Sequence, residues 1–316
     1  MQRTLRVGTA AAVRLGASSG TCARTLHASA AVGQSAASTN PEAVQVALIQ
    51  FHSASANPDE NQAKAEGFVR EAARNGAQFI LLPELYRTML PREQMPQYAE
   101  SIPDGPTSRR WAGLAKELGV WLLGGSMIEP VEGQPGKLYN TAVLFSDSGD
   151  LAARYRKIHL FDVCVPGVVD FQESALISSG KETTTVASPF GKLGLSVCYD
   201  LRFPELFRHL AKQGMDILCL PAAFNYGTGQ KHWLHLLKAR AIENQCFVLA
   251  PNQVGEAPNK FKSWGHSLIL DPWGDIVAEG GDGEEIVYGK LDLSLLGKYR
   301  EALPSLKHIR KDIFHV

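Results

Sequence analysis

Cys198 is the residue of the chain best suited by type and position to attack a carbonyl carbon. It ends an apolar stretch that begins at Gly191, and Pro204 marks the start of a helix a few residues later. A thiol at such a junction faces backbone N–H groups and the positive end of a helix dipole, which lower the pKa of the thiol and favour the thiolate. The N–H of Tyr199 is placed to hold an oxyanion. Taken alone, Cys198 has a second interpretation, as a small buried apolar residue.

Two other segments supply a base and a positive charge. Glu84 follows the apolar run at residues 79–82, and a carboxylate at the end of a buried strand is partly desolvated, which suits a general base. Lys157 lies among aromatic and aliphatic residues, so its ammonium group is expected to stabilise a thiolate and a tetrahedral oxyanion. A solvated loop glutamate and a basic strand edge are the alternatives. His159 is expected in the core and not as a partner of the cysteine.

Other chemistries find little support in the sequence. There is no Gly-rich dinucleotide or P-loop motif, no His-Glu-x-x-His and no Gly-x-Ser-x-Gly. The five cysteines are widely spaced, which argues against a disulfide framework or a zinc ribbon. The lack of clustered histidines and carboxylates argues against a metal-dependent amidohydrolase. We therefore expect no metal and no cofactor, and the net charge of zero gives no reason to expect a nucleic-acid partner.

The first 41 residues differ in composition from the remainder. They are rich in Ala and Ser and contain four arginines but no acidic residue, which is typical of a mitochondrial presequence. We predict a disordered presequence at residues 1–41 and a catalytic domain at residues 42–316, with a merely disordered tail and a cytoplasmic location as the alternatives. No apolar run approaches the roughly 18–20 residues that span a bilayer, so we expect no membrane segment.

The elements that must position these residues follow from an alternation of apolar and amphipathic stretches. Apolar runs predict strands at residues 44–50, 79–82, 120–123, 139–145, 191–197, 217–220, 246–250, 267–270 and 286–291. Amphipathic stretches predict helices at residues 58–74, 107–118, 204–213 and 232–244. This alternation predicts an α/β protein with layered sheets. No helix is evident between residues 139 and 197, so antiparallel or mixed pairing is expected there.

Taken together and in this order, the three segments resemble the signature of the nitrilase, or carbon–nitrogen hydrolase, superfamily. The matching residues are Pro83-Glu84, Tyr-Arg-Lys-Ile-His-Leu at 155–160 and Val-Cys-Tyr-Asp-Leu-Arg-Phe-Pro-Glu at 197–205. The resemblance extends over nearly everything after the leader. It implies a four-layer α-β-β-α sandwich that assembles as a homodimer or a larger homo-oligomer. It also implies that Glu84, Lys157 and Cys198 are catalytic and that Glu173 and Tyr199 support them.

Within the superfamily, the chain is similar to small amidases that hydrolyse amides of 2-oxo acids without a cofactor. Residues 239–255 look like those of deaminated-glutathione amidases, whereas residues 159–163 and 171–174 are similar to omega-amidases. The chain has Pro-Asn-Gln at 251–253 where omega-amidases typically carry Ser-Pro-Ala-Arg. This departure favours hydrolysis of deaminated glutathione to 2-oxoglutarate and cysteinylglycine. The alternative is an omega-amidase that releases ammonia from 2-oxoglutaramate or 2-oxosuccinamate.

A pocket for either small-molecule amide must neutralise a carboxylate, for which Arg202, Lys231 and His232 are the candidates. Arg202 has a competing interpretation, in which it pairs with Asp200 to brace the nucleophile turn. A true nitrilase is disfavoured, because the tryptophan that typically follows the nucleophile in those enzymes is Tyr199 here. A non-enzymatic alternative is a catalytically inactive binding or scaffold protein of the same fold. The presence of all three catalytic residue types argues against it.

Overall fold

The computed structural model describes residues 43–166 and 169–314, and the predicted presequence lies outside this part of the chain. Its strands are β1 (Ala43–Gln50), β2 (Phe79–Leu81), β3 (Trp121–Pro130), β4 (Leu138–Phe145), β5 (Leu151–Arg156), β6 (Asp162–Val165), β7 (Val169–Gln172), β8 (Thr184–Ser188), β9 (Gly191–Leu195), β10 (Ile217–Cys219), β11 (Phe247–Ala250), β12 (Val254–Glu256), β13 (Lys262–Trp264), β14 (Leu268–Leu270), β15 (Ile276–Glu279) and β16 (Glu285–Asp292). The α-helices are α1 (Pro58–Arg74), α2 (Pro106–Leu118), α3 (Pro204–Lys212), α4 (Tyr226–Asn244) and α5 (Ser294–Ala302). Every predicted strand and helix is present, some with shifted ends.

Two six-stranded sheets form the centre of the molecule. Their strand orders are β16-β1-β2-β3-β4-β5 and β15-β14-β11-β10-β9-β8. The central strands are parallel, whereas β4 pairs with β5 and β8 pairs with β9 in the antiparallel sense. The mixed pairing expected between residues 139 and 197 is therefore observed.

The side chains of β1 show how the layers are built. Val44, Val46 and Leu48 belong to a buried cluster that also contains residues of the second sheet. The alternate residues Ala47 and Ile49 point the other way, into a cluster shared with α1 and α2. A strand with both faces buried is the pattern of a sheet covered on each side. With α3 and α4 packed on the second sheet, the layers are α-β-β-α.

A bulge in β3 shapes the loop that carries Glu84. The register of β3 against β4 shifts between Leu123 and Ser126, and Gly125 has a φ of +64°. A Cβ at Gly125 would lie 2.2 Å from the carbonyl oxygen of Pro83, so only glycine lets the two segments approach this closely. Ser126 then accepts a hydrogen bond from the N–H of Leu85 at 3.1 Å, which fixes the residue after Glu84.

The helix predicted at residues 232–244 begins earlier, at Tyr226. Asn225 caps it, because its side chain accepts hydrogen bonds from the N–H groups of Gly227 and Thr228. The strands that the sequence did not predict include β5, β8 and β15, which lie at sheet edges. Among the described residues, no helix has both the length and the apolar character needed to cross a membrane.

Candidate active site

Glu84 is a buried carboxylate held by three fixed donors. It lies just beyond the end of β2 and is 4% exposed. Its Oε1 accepts hydrogen bonds from Asn140 Nδ2 at 2.8 Å and from Lys157 Nζ at 2.9 Å, and its Oε2 accepts one from the N–H of Ala223 at 2.9 Å. Gln253 Nε2 donates to the carbonyl of Glu84 at 2.7 Å. Both the side chain and the backbone are therefore fixed.

Lys157 follows β5 directly and is 2% exposed. Its Nζ lies 2.9 Å from Oε1 of Glu84 and 2.9 Å from Oε2 of Glu173. Burial alone lowers the pKa of Lys157, but the charges of Glu173 and Glu84 outweigh that effect and hold the pKa well above its ordinary value. The ammonium group is therefore permanently charged. Glu173 also accepts a hydrogen bond from the N–H of Phe161 at 2.7 Å.

Cys198 lies in a strained turn between β9 and α3. Its φ is +45°, which is uncommon for a residue other than glycine. Its N–H donates to the carbonyl of Pro221 at 3.0 Å, and a 3₁₀ turn spans Cys198–Arg202 before the helix begins at Pro204. The turn therefore separates the thiol from the helix.

The expectation that the pKa of Cys198 is lowered is wrong. Burial raises the pKa of the thiol well above its ordinary value, and the charge of Glu84 raises it further. Lys157 acts in the opposite direction but is already shared by two carboxylates. Cys198 consequently rests as a thiol at neutral pH, and a base must remove its proton during the reaction.

Asp200 braces the nucleophile turn, but not through Arg202. Its fully buried carboxylate accepts hydrogen bonds from the N–H of Val197 at 2.8 Å and from the hydroxyl of Tyr155 at 2.8 Å. Its other oxygen lies 2.7 Å from Nδ1 of His159. The predicted pair of Asp200 with Arg202 is therefore wrong, since the two donors and His159 occupy the carboxylate. His159 is a partner of Asp200 and not of the cysteine.

A cavity of about 530 Å³ brings the predicted residues together. Its walls include Glu84, Lys157, Glu173, Cys198, Tyr199 and Arg202. Arg202 lies 5.1 Å from the ring of Phe224 and 5.9 Å from that of Tyr199. No carboxylate in the described part of the chain lies within ion-pair distance of it. The cavity thus contains a guanidinium group available to a ligand.

The other two predicted carboxylate ligands are not in this cavity. Lys231 is exposed on α4 and does not line it, because the helix turns this side chain toward solvent. His232 lies outside the lining as well, and its Nδ1 is 3.1 Å from Nη1 of Arg202. Burial, Arg202 and His235 lower the pKa of His232, so the neutral ring accepts a hydrogen bond from the guanidinium group. The structure thus places Lys231 on the surface and His232 beside Arg202, and it brings neither into the cavity.

Several site residues were not predicted from the sequence. Asn140 is fully buried in β4 and donates to Glu84, and a polar residue within an apolar strand was the available signal. The N–H of Ala223 carries no sequence signal, because every residue other than proline has one. Phe161, Phe171 and Phe261 form an aromatic wall of the cavity. Phe161 directly precedes β6 and Phe171 lies in β7, the antiparallel partner of β6, whereas Phe261 lies just before β13, so no local sequence pattern connects Phe261 with the other two.

Comparison with known proteins agrees with this geometry. The profile of the family described as carbon-nitrogen hydrolase matches residues 45–301. The chain belongs to this family. It is 40% identical to human omega-amidase NIT2 over 272 residues, which cover 86% of this chain and 97% of that protein. This carbon–nitrogen hydrolase therefore acts on carbon–nitrogen bonds other than peptide bonds.

Solved structures confirm the predicted fold. The crystal structure of Nit3 from Saccharomyces cerevisiae, a member of the nitrilase superfamily, matches with a TM-score of 0.77 and 32% identity, over 86% of this chain and 97% of that one. An amidase from Nesterenkonia sp. in complex with acrylamide matches with a TM-score of 0.69 and 26% identity, over 84% of this chain and 97% of that one. The hydrolase therefore has the nitrilase-type α-β-β-α sandwich.

Proposed function

We propose that this hydrolase is an omega-amidase, which releases ammonia from the monoamide of a 2-oxo dicarboxylic acid. The observation that carries the proposal is Arg202, a guanidinium group without a carboxylate partner among the described residues, in the same cavity as Cys198 and Glu84. A positive charge in that position suits a substrate that carries a carboxylate at one end and the amide at the other. The curated omega-amidases from human and mouse, each 40% identical to the chain, support the same class.

In the first half of the proposed reaction, Cys198 is acylated. Glu84 takes the thiol proton as the sulfur attacks the amide carbon, so that thiol deprotonation and carbon–sulfur bond formation occur together. Among the described residues, one backbone donor, the N–H of Ala223, bonds to Oε2 of Glu84, which leaves this oxygen a lone pair for the proton. The ammonium group of Lys157 and the N–H of Tyr199 stabilise the oxyanion. Glu84 then passes the proton to the nitrogen, the carbon–nitrogen bond breaks and ammonia leaves.

In the second half, water releases the acid. Glu84 takes a proton from a water molecule, whose oxygen attacks the thioester carbon and forms a second tetrahedral oxyanion. The carbon–sulfur bond breaks, the sulfur regains the proton from Glu84, and the dicarboxylate leaves. Glu173 supports both halves, because it holds Lys157 in place through an ion pair at 2.9 Å.

The residues that favoured deaminated glutathione lie outside the cavity. Asn252 is fully buried and accepts a hydrogen bond from the N–H of Phe224 at 2.8 Å. Gln253 donates to the backbone of Glu84. The Pro-Asn-Gln sequence at 251–253 therefore holds the backbone of Phe224 and Glu84 and does not line the cavity. The departure of these three residues from the omega-amidase pattern therefore does not argue against an omega-amidase.

Deaminated glutathione remains a second candidate substrate because of the cavity volume. A volume of about 530 Å³ lies within the range of roughly 300–1,000 Å³ that holds drug-sized ligands. The acyl part of deaminated glutathione is the same 2-oxoglutaryl group, so Arg202 and Cys198 would act on it in the same way. Only the leaving group differs.

The test compares both substrates on purified protein that starts near Ala37. Ammonia release from 2-oxoglutaramate and cysteinylglycine release from deaminated glutathione are measured at equal enzyme concentration, with Cys198→Ala as the control. A higher kcat/KM for 2-oxoglutaramate supports the omega-amidase. A higher value for deaminated glutathione would transfer the assignment to the second candidate.

We further propose that the chain is imported into mitochondria and assembles as a homo-oligomer. The arginine-rich, acid-free leader supports import. Fusion of residues 1–45 to a fluorescent reporter tests it, and a reporter that stays in the cytosol would refute it. Light scattering on the purified protein measures the mass of the assembly, and a monomer would refute the second proposal.

A further inference from the structure

The cavity contains an apolar compartment that a substrate losing only ammonia does not need. Phe161, Phe171 and Phe261 meet edge to face or tilted, with ring centroids 6.0–6.4 Å apart. Each ring is partly exposed and lines the cavity. Phe261 also packs against a separate apolar cluster that includes Leu85 and Met89. We call the three rings with these two residues the apolar vault.

The ring of Tyr199 connects the vault to Arg202. It lies 5.0 Å from the ring of Phe161 and 5.9 Å from the guanidinium group of Arg202. A substrate whose carboxylate binds Arg202 is therefore within reach of the vault at its opposite end. For an amide attacked by Cys198, that end is the amine that leaves.

The position of Glu84 gives the same orientation independently. This carboxylate must deliver a proton to the leaving nitrogen, so the nitrogen has to face it. Leu85 adjoins Glu84 in the chain, and Ala223 donates its N–H to Glu84 at 2.9 Å. Both residues belong to the apolar cluster on which Phe261 packs. The leaving amine is thus directed toward the vault by the acid that protonates it.

We infer that the enzyme also hydrolyses N-substituted amides whose leaving amine carries an apolar group, such as an alkyl or aryl chain. The inference rests on the proposed amidase mechanism and extends its substrate class. Burial of the apolar group against the phenylalanine rings supplies binding free energy that a primary amide cannot obtain. The bonds made and broken are those of the primary amide, with the free amine leaving in place of ammonia.

The test uses two N-substituted 2-oxoglutaramates that match in length and keep the free carboxylate. One carries an N-butyl group and the other an N-(3-hydroxypropyl) group, so a hydroxyl replaces a methyl at the end of the chain. We expect kcat/KM for the butyl amide to exceed that for the hydroxypropyl amide by about tenfold or more. The reason is that a hydrophobic pocket binds a terminal methyl group better than a terminal hydroxyl group. A ratio near one, or hydrolysis of neither compound, would overturn the inference.

Substitutions at Phe261 and Trp273 test whether the vault causes the preference for the butyl amide. Phe261→Ala is expected to lower the ratio of the two kcat/KM values about fivefold, whereas Phe261→Leu retains most of it. Trp273→Ala removes an aromatic residue that is 46% exposed and does not line the cavity, so the ratio should not change. An unchanged ratio in Phe261→Ala would overturn the assignment to the vault. Ammonia release from 2-oxoglutaramate by the same preparations measures the proposed omega-amidase function separately.

Discussion

Replacement of Lys157 by methionine tests the charge balance of the site. Met has a similar length but no charge, so the change leaves the buried carboxylates of Glu84 and Glu173 without their ammonium partner at 2.9 Å from each. Removal of one partner from a buried ion pair costs about 3–5 kcal/mol. We expect the free energy of unfolding at pH 8 to fall by about this amount, and amidase activity to fall by more than about a thousandfold.

The pH dependence of this loss follows from Lys157. Its pKa lies well above its ordinary value in the folded wild type, so the stabilisation that its ammonium group supplies is fully present below the unfolded pKa of about 10.4 and is lost as the pH rises above it. The methionine variant has no such group. The difference in unfolding free energy between wild type and variant should therefore stay constant from pH 6 to pH 9 and narrow above about pH 10.

Equilibrium unfolding in urea at several pH values measures both effects. The matched control is the double variant Lys157→Met/Glu173→Gln, which removes one of the two carboxylates and should regain part of the lost stability at pH 8. A loss below about 1 kcal/mol at pH 8, with no change in the difference above about pH 10, would refute the reasoning. Such a result would mean that the cluster is solvated and that Lys157 is an ordinary surface charge.

Three other perturbations test single contacts. Asn140→Ala removes the donor 2.8 Å from Oε1 of Glu84 and should lower kcat about tenfold with little change in KM, measured by steady-state kinetics. Arg202→Leu should lower kcat/KM for 2-oxoglutaramate by about a hundredfold but leave that for the uncharged butyramide within about threefold, and equal losses would argue against carboxylate binding. Because burial and Glu84 raise the pKa of Cys198, its alkylation by iodoacetamide should accelerate continuously from pH 7 to pH 10. The exposed Cys164 should be labelled first at pH 7, and peptide mass spectrometry that finds Cys198 first would contradict the raised pKa.

Residue types at strand ends indicated two of the candidate catalytic residues, and the resemblance to the superfamily decided between the alternatives for each. Glu84 and Cys198 each follow an apolar run that proved to be a central strand, β2 or β9. The two strands belong to different sheets of the sandwich, and the carboxyl ends of parallel strands are where sites of α/β proteins form. The order of the segments also identified the superfamily, and with it the four layers that the structure has.

The predictions that proved wrong concern a pKa and residue contacts that depend on parts of the chain distant in sequence. The pKa of Cys198 is set by burial and by Glu84, which lies far from it in sequence. Asp200 was paired with the nearest arginine, but the structure brings His159 to it instead. Lys231 was a candidate because a substrate carboxylate needs a cation, but on α4 it is exposed and does not line the cavity. Such partners follow from tertiary packing and have no local pattern.

The covalent state of Cys198 during turnover tests the central claim most directly. Protein mixed with 2-oxoglutaramate is quenched in acid within milliseconds, and its peptides are examined by mass spectrometry. The proposed mechanism predicts a 2-oxoglutaryl group on the peptide that contains Cys198, and neither adduct nor turnover in Cys198→Ala. Turnover that persists in Cys198→Ala, or an adduct on any other residue, would contradict it.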